Sequence, residues 1–107
     1  MVVRRFDVFH NPSGVSAKKI PYLLVVQSDL LGEMETCVVL PLAKAQAAKA
    51  AASTRLNPQF EVDGTSVVLL TQLIGVVPVR TLRKHVVNLD AQRSVIVGAL
   101  DFLFEGI

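Results

Sequence analysis

The chain of 107 residues has no tryptophan, a single tyrosine, a single cysteine and only two histidines. One cysteine, Cys37, excludes an internal disulfide and suits a reducing compartment. Set in Thr36-Cys37-Val38-Val39 with no histidine or lysine beside it, it reads as a small buried hydrophobe rather than a reactive thiol. His10 and His85 form no HxxH, CxxC or HExxH spacing with any partner, so no metal is expected. The six glycines never fall into a GxGxxG or GxxxxGK pattern, which leaves phosphate cradling unsupported and no cofactor expected. Asp29 and Asp101 are the carboxylates weighed for acid–base work, and each reads as a turn or surface residue.

Long hydrophobic runs are also missing. The longest, Val67 to Val79, is thirteen residues and is interrupted by Thr71, Gln72, Gly75 and Pro78, whereas a membrane span needs about 20. The N-terminus, Met1 to His10, carries Arg4, Arg5 and Asp7 and lacks the apolar centre of a secretory signal. A cytoplasmic protein without a membrane contact is expected. Eleven basic residues against nine acidic ones leave a net charge of +2, well short of a strong nucleic-acid binder. The densest basic run, Arg80-Thr81-Leu82-Arg83-Lys84-His85, reads as a solvated face, with phosphate or acidic-partner contact the minor reading.

What is abundant is aliphatic. Hydrophobic residues make up 51% of the chain, too many for a disordered one, and the mean hydropathy is +0.49. The length is that of one domain, residues 1–107, with a modest core. Apolar surface in excess of that core is expected to meet another protein.

Val2 to Phe9 alternates with a period of two, with Val2, Phe6 and Val8 on one face, which predicts a strand. Asn11-Pro12-Ser13-Gly14 opens a loop that extends to Lys19. Ile20 to Gln27 is nearly continuously apolar and predicts a strand buried on both sides or at an interface. Ser28 to Glu35 turns the chain, and Thr36 to Pro41 predicts a third strand ended by its proline. Leu42 to Arg55, with seven alanines, predicts a surface helix or helical turn. Phe60 to Val62 and Thr65 to Thr71 flank Asp63-Gly64, the signature of a two-residue hairpin turn. Val76 to Arg80 predicts a short strand whose proline demands an edge or a corner.

Asp90 is expected to N-cap a terminal helix over Ala91 to Phe104. Ile96, Leu100, Leu103 and Ile107 share one stripe, yet Val95, Val97, Phe102 and Phe104 make the other faces apolar too. That surplus predicts a homodimer held partly by Ile96, Leu100, Leu103 and Phe104. The sum is a mainly β domain: a small antiparallel barrel-like sheet with a C-terminal α-helix.

Val26-Gln27-Ser28-Asp29, Leu40-Pro41-Leu42, Thr71 followed by Val77-Pro78-Val79, and the ending Phe104-Glu105-Gly106-Ile107 resemble the CcdB family. In its members the corresponding pieces read VQSD, IPL, VPV and FWGI, in the same order and at closely similar spacing. The resemblance spans nearly the whole chain, with a longer loop at Asn11 to Lys19. It implies an SH3-like barrel, shared with MazF/Kid-type proteins, and a homodimer with its C-terminal helix at the two-fold axis. It implies no catalysis. Family toxins insert at the dimer interface of the DNA-cleaving subunit of DNA gyrase and trap the enzyme on cleaved DNA. They are neutralised by a CcdA-like antitoxin, and the complex represses its own operon, so operator DNA is a partner only through that complex. The target-binding tip so implied is Glu105, Gly106 and Ile107, with Leu103 beside them. The family ends in Trp-Gly-Ile, and Glu105 replaces the tryptophan that stacks on a gyrase arginine, losing that contact. A carboxylate can instead form a charge-assisted hydrogen bond to arginine; the alternative is a plain surface residue and weak or absent poisoning. Two other readings stand beside this one: a MazF/Kid-like endoribonuclease using the basic run, and a CcdB homologue that no longer poisons gyrase.

Overall fold

The computed structural model describes residues 2–48 and 54–106. Seven strands and one α-helix form among the described residues: β1 (Asp7–His10), β2 (Tyr22–Val25), β3 (Thr36–Lys44), β4 (Gln59–Val62), β5 (Thr65–Leu69), β6 (Gly75–Pro78), β7 (His85–Asn88) and α1 (Arg93–Glu105). Every pairing is antiparallel, in the order β4-β5-β3-β2-β1-β7, with β6 also on β3. The fold is mainly β, a curled antiparallel sheet with a C-terminal helix, consistent with a small SH3-like barrel.

The first strand is shorter than the alternation predicts, for a local reason. Phe6 is buried with a φ of 71°, a left-handed conformation that bulky residues rarely adopt. It accompanies a turn in which the Asp7 N–H donates to the Arg4 carbonyl at 3.1 Å. Val2 to Phe6 therefore lie outside the strand.

The second strand is buried on both faces, as its continuous apolarity predicts. Tyr22 and Leu24 join Phe6, Val8, Leu40, Leu42, Val67 and Leu69 in one cluster, which α1 covers with Ile96 and Ala99. Leu23 and Val25 join Phe9, Cys37, Val39 and Leu82 in a second cluster on the opposite face. Alternation of side chains across a pleated strand is what supplies both.

Pro41 does not end β3, contrary to expectation: the strand continues to Lys44. On one side β3 pairs with β2 across its middle, from Val39 opposite Val25 to Leu42 opposite Tyr22. On its other side the partner changes, from β6 at Thr36–Val39 to β5 at Leu42–Lys44. The Pro41 carbonyl accepts the Leu70 N–H on that side. The nitrogen of a strand residue faces the same way as its carbonyl, so the missing donor falls where the ladder changes hands.

The continuation of β3 also overturns the alanine-rich helix in its first part. Leu42 to Lys44 are strand and Ala45 to Ala47 are turn, because Leu42 and Ala43 are needed in the sheet, where both are buried. The middle of that predicted helix lies outside the described residues. The Asp63-Gly64 hairpin is as predicted, with φ of 50° and 78° at the two central residues. Its second strand stops at Leu69, and Thr71 enters a 3₁₀ turn. The predicted strand Val76 to Arg80 is shifted to Gly75–Pro78, with a 3₁₀ turn at Val79–Thr81. The basic run ends in β7, a strand that its charged composition conceals.

Candidate functional site

The terminal helix is carried into place by β7. The Leu89 N–H donates to the Phe6 carbonyl at 2.9 Å, and a 3₁₀ turn at Asp90–Gln92 leads into α1. Asp90 is not the N-cap: that position is Gln92, without a side-chain cap. The Asp90 carboxylate instead accepts from the Arg93 guanidinium at 3.0 Å, while Asn88 Oδ1 accepts the Asp90 backbone N–H. The turn inserted before the helix is what displaces Asp90 from the capping position.

The four predicted interface residues are not equivalent. Ile96 has 0% of its surface exposed and belongs to the chain's own core. Leu100 is half-buried against the same cluster. Leu103 is half-buried and Phe104 is 68% exposed. The apolar surplus of the helix is therefore narrower than its composition suggests. Val97 packs on the core, the Arg55 guanidinium lies 4.5 Å above the Phe102 ring, and Val95 and Phe104 stand in solvent.

At the tip, Glu105 is exposed and its carboxylate forms no ion pair among the described residues. Gly106 ends the helix with a φ of 73°, its N–H on the Phe102 carbonyl at 3.1 Å. Glycine takes that left-handed position without steric cost. Ile107 lies outside the described residues.

A second apolar protrusion was not singled out by the sequence reading. Leu30 is 94% exposed, and Leu31 and Met34 are exposed with it. Leu31 and Met34 border a shallow cleft of about 150 Å³ with Cys37 among its lining residues. The segment that leads to them is tightly held. Gln27 Oε1 accepts the Val38 N–H at 3.1 Å and its amide donates to the Thr36 carbonyl at 3.2 Å. Ser28 Oγ accepts the Leu30 N–H, and Asp29 Oδ1 accepts the Arg5 N–H at 2.7 Å. Gln27-Ser28-Asp29 thus fixes a loop that holds two leucines out in water. The one available signal was Leu30-Leu31 placed directly after this polar triplet.

Of the chemistry-bearing residues, Cys37 is buried as expected, and desolvation pushes its thiol pKa up. Asp29 and Asp101 are not joined by any hydrogen bond among the described residues; Asp29 serves the loop and Asp101 is exposed on α1. The His10 ring rests on Tyr22. His85 does have a carboxylate partner, Asp7, which the sequence reading did not supply. No group of three or more His, Cys, Asp or Glu side chains suited to a metal occurs among the described residues. No helix among them is long and apolar enough to cross a membrane.

A curled antiparallel sheet, a helix that shares its core and exposes its far end, and two solvent-facing apolar knobs define a small barrel-like domain with exposed apolar side chains. Residues 5–106 match the family model described as CcdB protein. The chain belongs to the CcdB family, a family of toxins from toxin–antitoxin modules. No curated protein matches it.

Proposed function

We propose that this chain is the toxin of a type II toxin–antitoxin module that acts by binding, as a homodimer, with the DNA-cleaving subunit of DNA gyrase as its target. A CcdA-like antitoxin neutralises it, and the complex represses its own operon. The family match over residues 5–106 carries this reading. Phe104 and Leu30 add support, because exposed apolar side chains of this size are the kind a partner protein buries. Phe104 and Glu105 stand exposed at the end of α1, which Gly106 closes, and this supports that end as the part that meets a target.

Induced expression with and without a candidate antitoxin tests it, read by gyrase–DNA cleavage complexes trapped in the cell and by bulk RNA decay. Growth arrest with trapped complexes, relieved by the antitoxin, is the expected result. RNA decay without trapped complexes would replace this reading by the endoribonuclease. Antitoxin binding without arrest would replace it by a homologue that no longer poisons.

A further inference from the structure

The basic run at residues 80–85, left aside by the proposed function, lies on one side of a cleft. This cleft of about 450 Å³ is lined by His10, Asn11, Pro12, Thr81, Arg83 and Lys84. Its two walls are the end of β1 and the approach to β7, tied by the His10 N–H on the Lys84 carbonyl at 2.9 Å. Asn11 is itself held, its amide donating to Ser16 Oγ and the Ile20 carbonyl. The walls come from two stretches without a single acidic residue, 8–28 and 64–89. The Asp7 carboxylate, which faces β7, is buried and already holds His85, Asn88 and the Arg4 N–H. Arg80, Arg83 and Lys84 are exposed and form no ion pair among the described residues.

We infer that this cleft is a phosphate-binding surface that contacts the backbone of duplex nucleic acid without reading its sequence. Unpaired Arg and Lys side chains are the groups that hold phosphate oxygens, whereas the Asn11 amide and the Thr81 hydroxyl are already committed within the chain and shape the walls. An acidic peptide is the less suitable occupant, because a peptide site is anchored by an apolar pocket, and among the described lining residues Pro12 is the sole apolar one. A single strand is also disfavoured, since its bases need aromatic platforms and the His10 ring already lies against Tyr22. The inference does not rest on gyrase being the target.

Fluorescence anisotropy with a labelled 20-base-pair DNA duplex of arbitrary sequence tests it on the whole chain. Two phosphate contacts, one each for the lining cations Arg83 and Lys84, weaken binding about 12-fold between 50 and 200 mM salt. In the variant R83Q/K84Q, with neither contact left, binding is weaker and that dependence on salt is lost. Arg93→Gln, which removes a cation from the Asp90 side of the molecule, is expected to bind as the parent does. Unchanged thermal unfolding of R83Q/K84Q shows that the fold is intact, as befits two exposed side chains. Absence of binding at 50 mM salt, equal loss in Arg93→Gln and R83Q/K84Q, or equal competition by polyglutamate of matched charge would each overturn the inference. The last result would assign the cleft to an acidic protein.

Discussion

His85 Nε2 lies 2.9 Å from Asp7 Oδ1, although 78 positions separate the two residues. The contact exists because β7 returns antiparallel to β1 and closes that edge of the sheet. The same carboxylate accepts from Asn88 Nδ2 at 3.0 Å and from the Arg4 N–H at 2.8 Å. Asp7 is therefore the knot of the N-terminal turn and the last strand, with His85 one of three donors to it. Its side chain is 7% exposed and that of His85 is 43% exposed, so the two residues differ in what their removal leaves behind.

Asp7→Ala strips the acceptor from Asn88 and from the Arg4 N–H, and is expected to cost about 3 kcal/mol. His85→Ala removes one partly solvated donor, a contact that solvent screens, and is expected to cost about 0.5–1 kcal/mol. Urea unfolding of both variants checks the order. Equal losses would mean that the carboxylate acts through the histidine alone.

Cys37 gives the pH-dependent prediction. Burial raises its thiol pKa in the folded chain, above the ordinary value of about 8.5. Between those two values the unfolded chain releases the proton while the folded chain keeps it. The stabilisation is thus complete below about pH 8.5 and is lost as the pH rises through the folded value. Cys37→Ser is expected to cost about 1–3 kcal/mol at pH 7, because it puts a hydroxyl into an apolar site. Since serine does not titrate, the stability gap between parent and variant narrows above about pH 8.5. A gap constant from pH 7 to 10 would show that the thiol is not desolvated.

The residues that were legible in the sequence are those whose structure is set locally. Asp63-Gly64 needs positive φ and takes it, and the run Ile20 to Gln27 contains a strand with both faces covered. What was not legible depends on residues far along the chain. Pro41 reads as a stop until β5 and β6 are seen to exchange partners beside it. The alanines after Leu42 favour a helix, yet β2 and β5 draw Leu42, Ala43 and Lys44 into the sheet. His85 reads as part of a solvated face until β1 supplies Asp7. At the site, helix periodicity found the apolar faces of α1. It could not show that the sheet consumes Ile96 and leaves Phe104.

That division gives the dimer prediction a sharper form. Ile96→Ala opens a cavity inside the chain and is expected to cost about 2–4 kcal/mol of stability whatever the oligomeric state. Phe104→Asp alters a side chain that the chain itself leaves exposed. It is expected to dissociate the dimer while the melting curve stays cooperative, because a charge placed at a buried interface lacks a partner there. Sedimentation velocity at micromolar concentration reads both variants. A monomeric parent would reject the homodimer, and a dimeric Phe104→Asp would place its interface away from this end of α1.

The tip is where the family and this chain disagree, and it supplies the last test. Glu105 is exposed at the final turn, and Gly106 closes the helix in a conformation that glycine adopts readily. Removing residues 105–107 deletes the helix cap but no buried side chain of the described core, so the fold is expected to persist while toxicity is lost. Glu105→Trp asks a separate question. A tryptophan here adds an aromatic anchor without disturbing the Gly106 turn, and a buried anchor of this kind contributes about 2 kcal/mol or more, roughly 30-fold in affinity. If the scaffold already engages gyrase, trapped cleavage complexes should therefore appear at correspondingly lower protein concentration in Glu105→Trp than in the parent. If the parent traps gyrase and Glu105→Trp traps it less well, the carboxylate itself meets an arginine, and the ring displaces a charge-assisted contact. If both are folded and neither traps gyrase, the target is another protein, and the exposed tip of α1 belongs to a different complex.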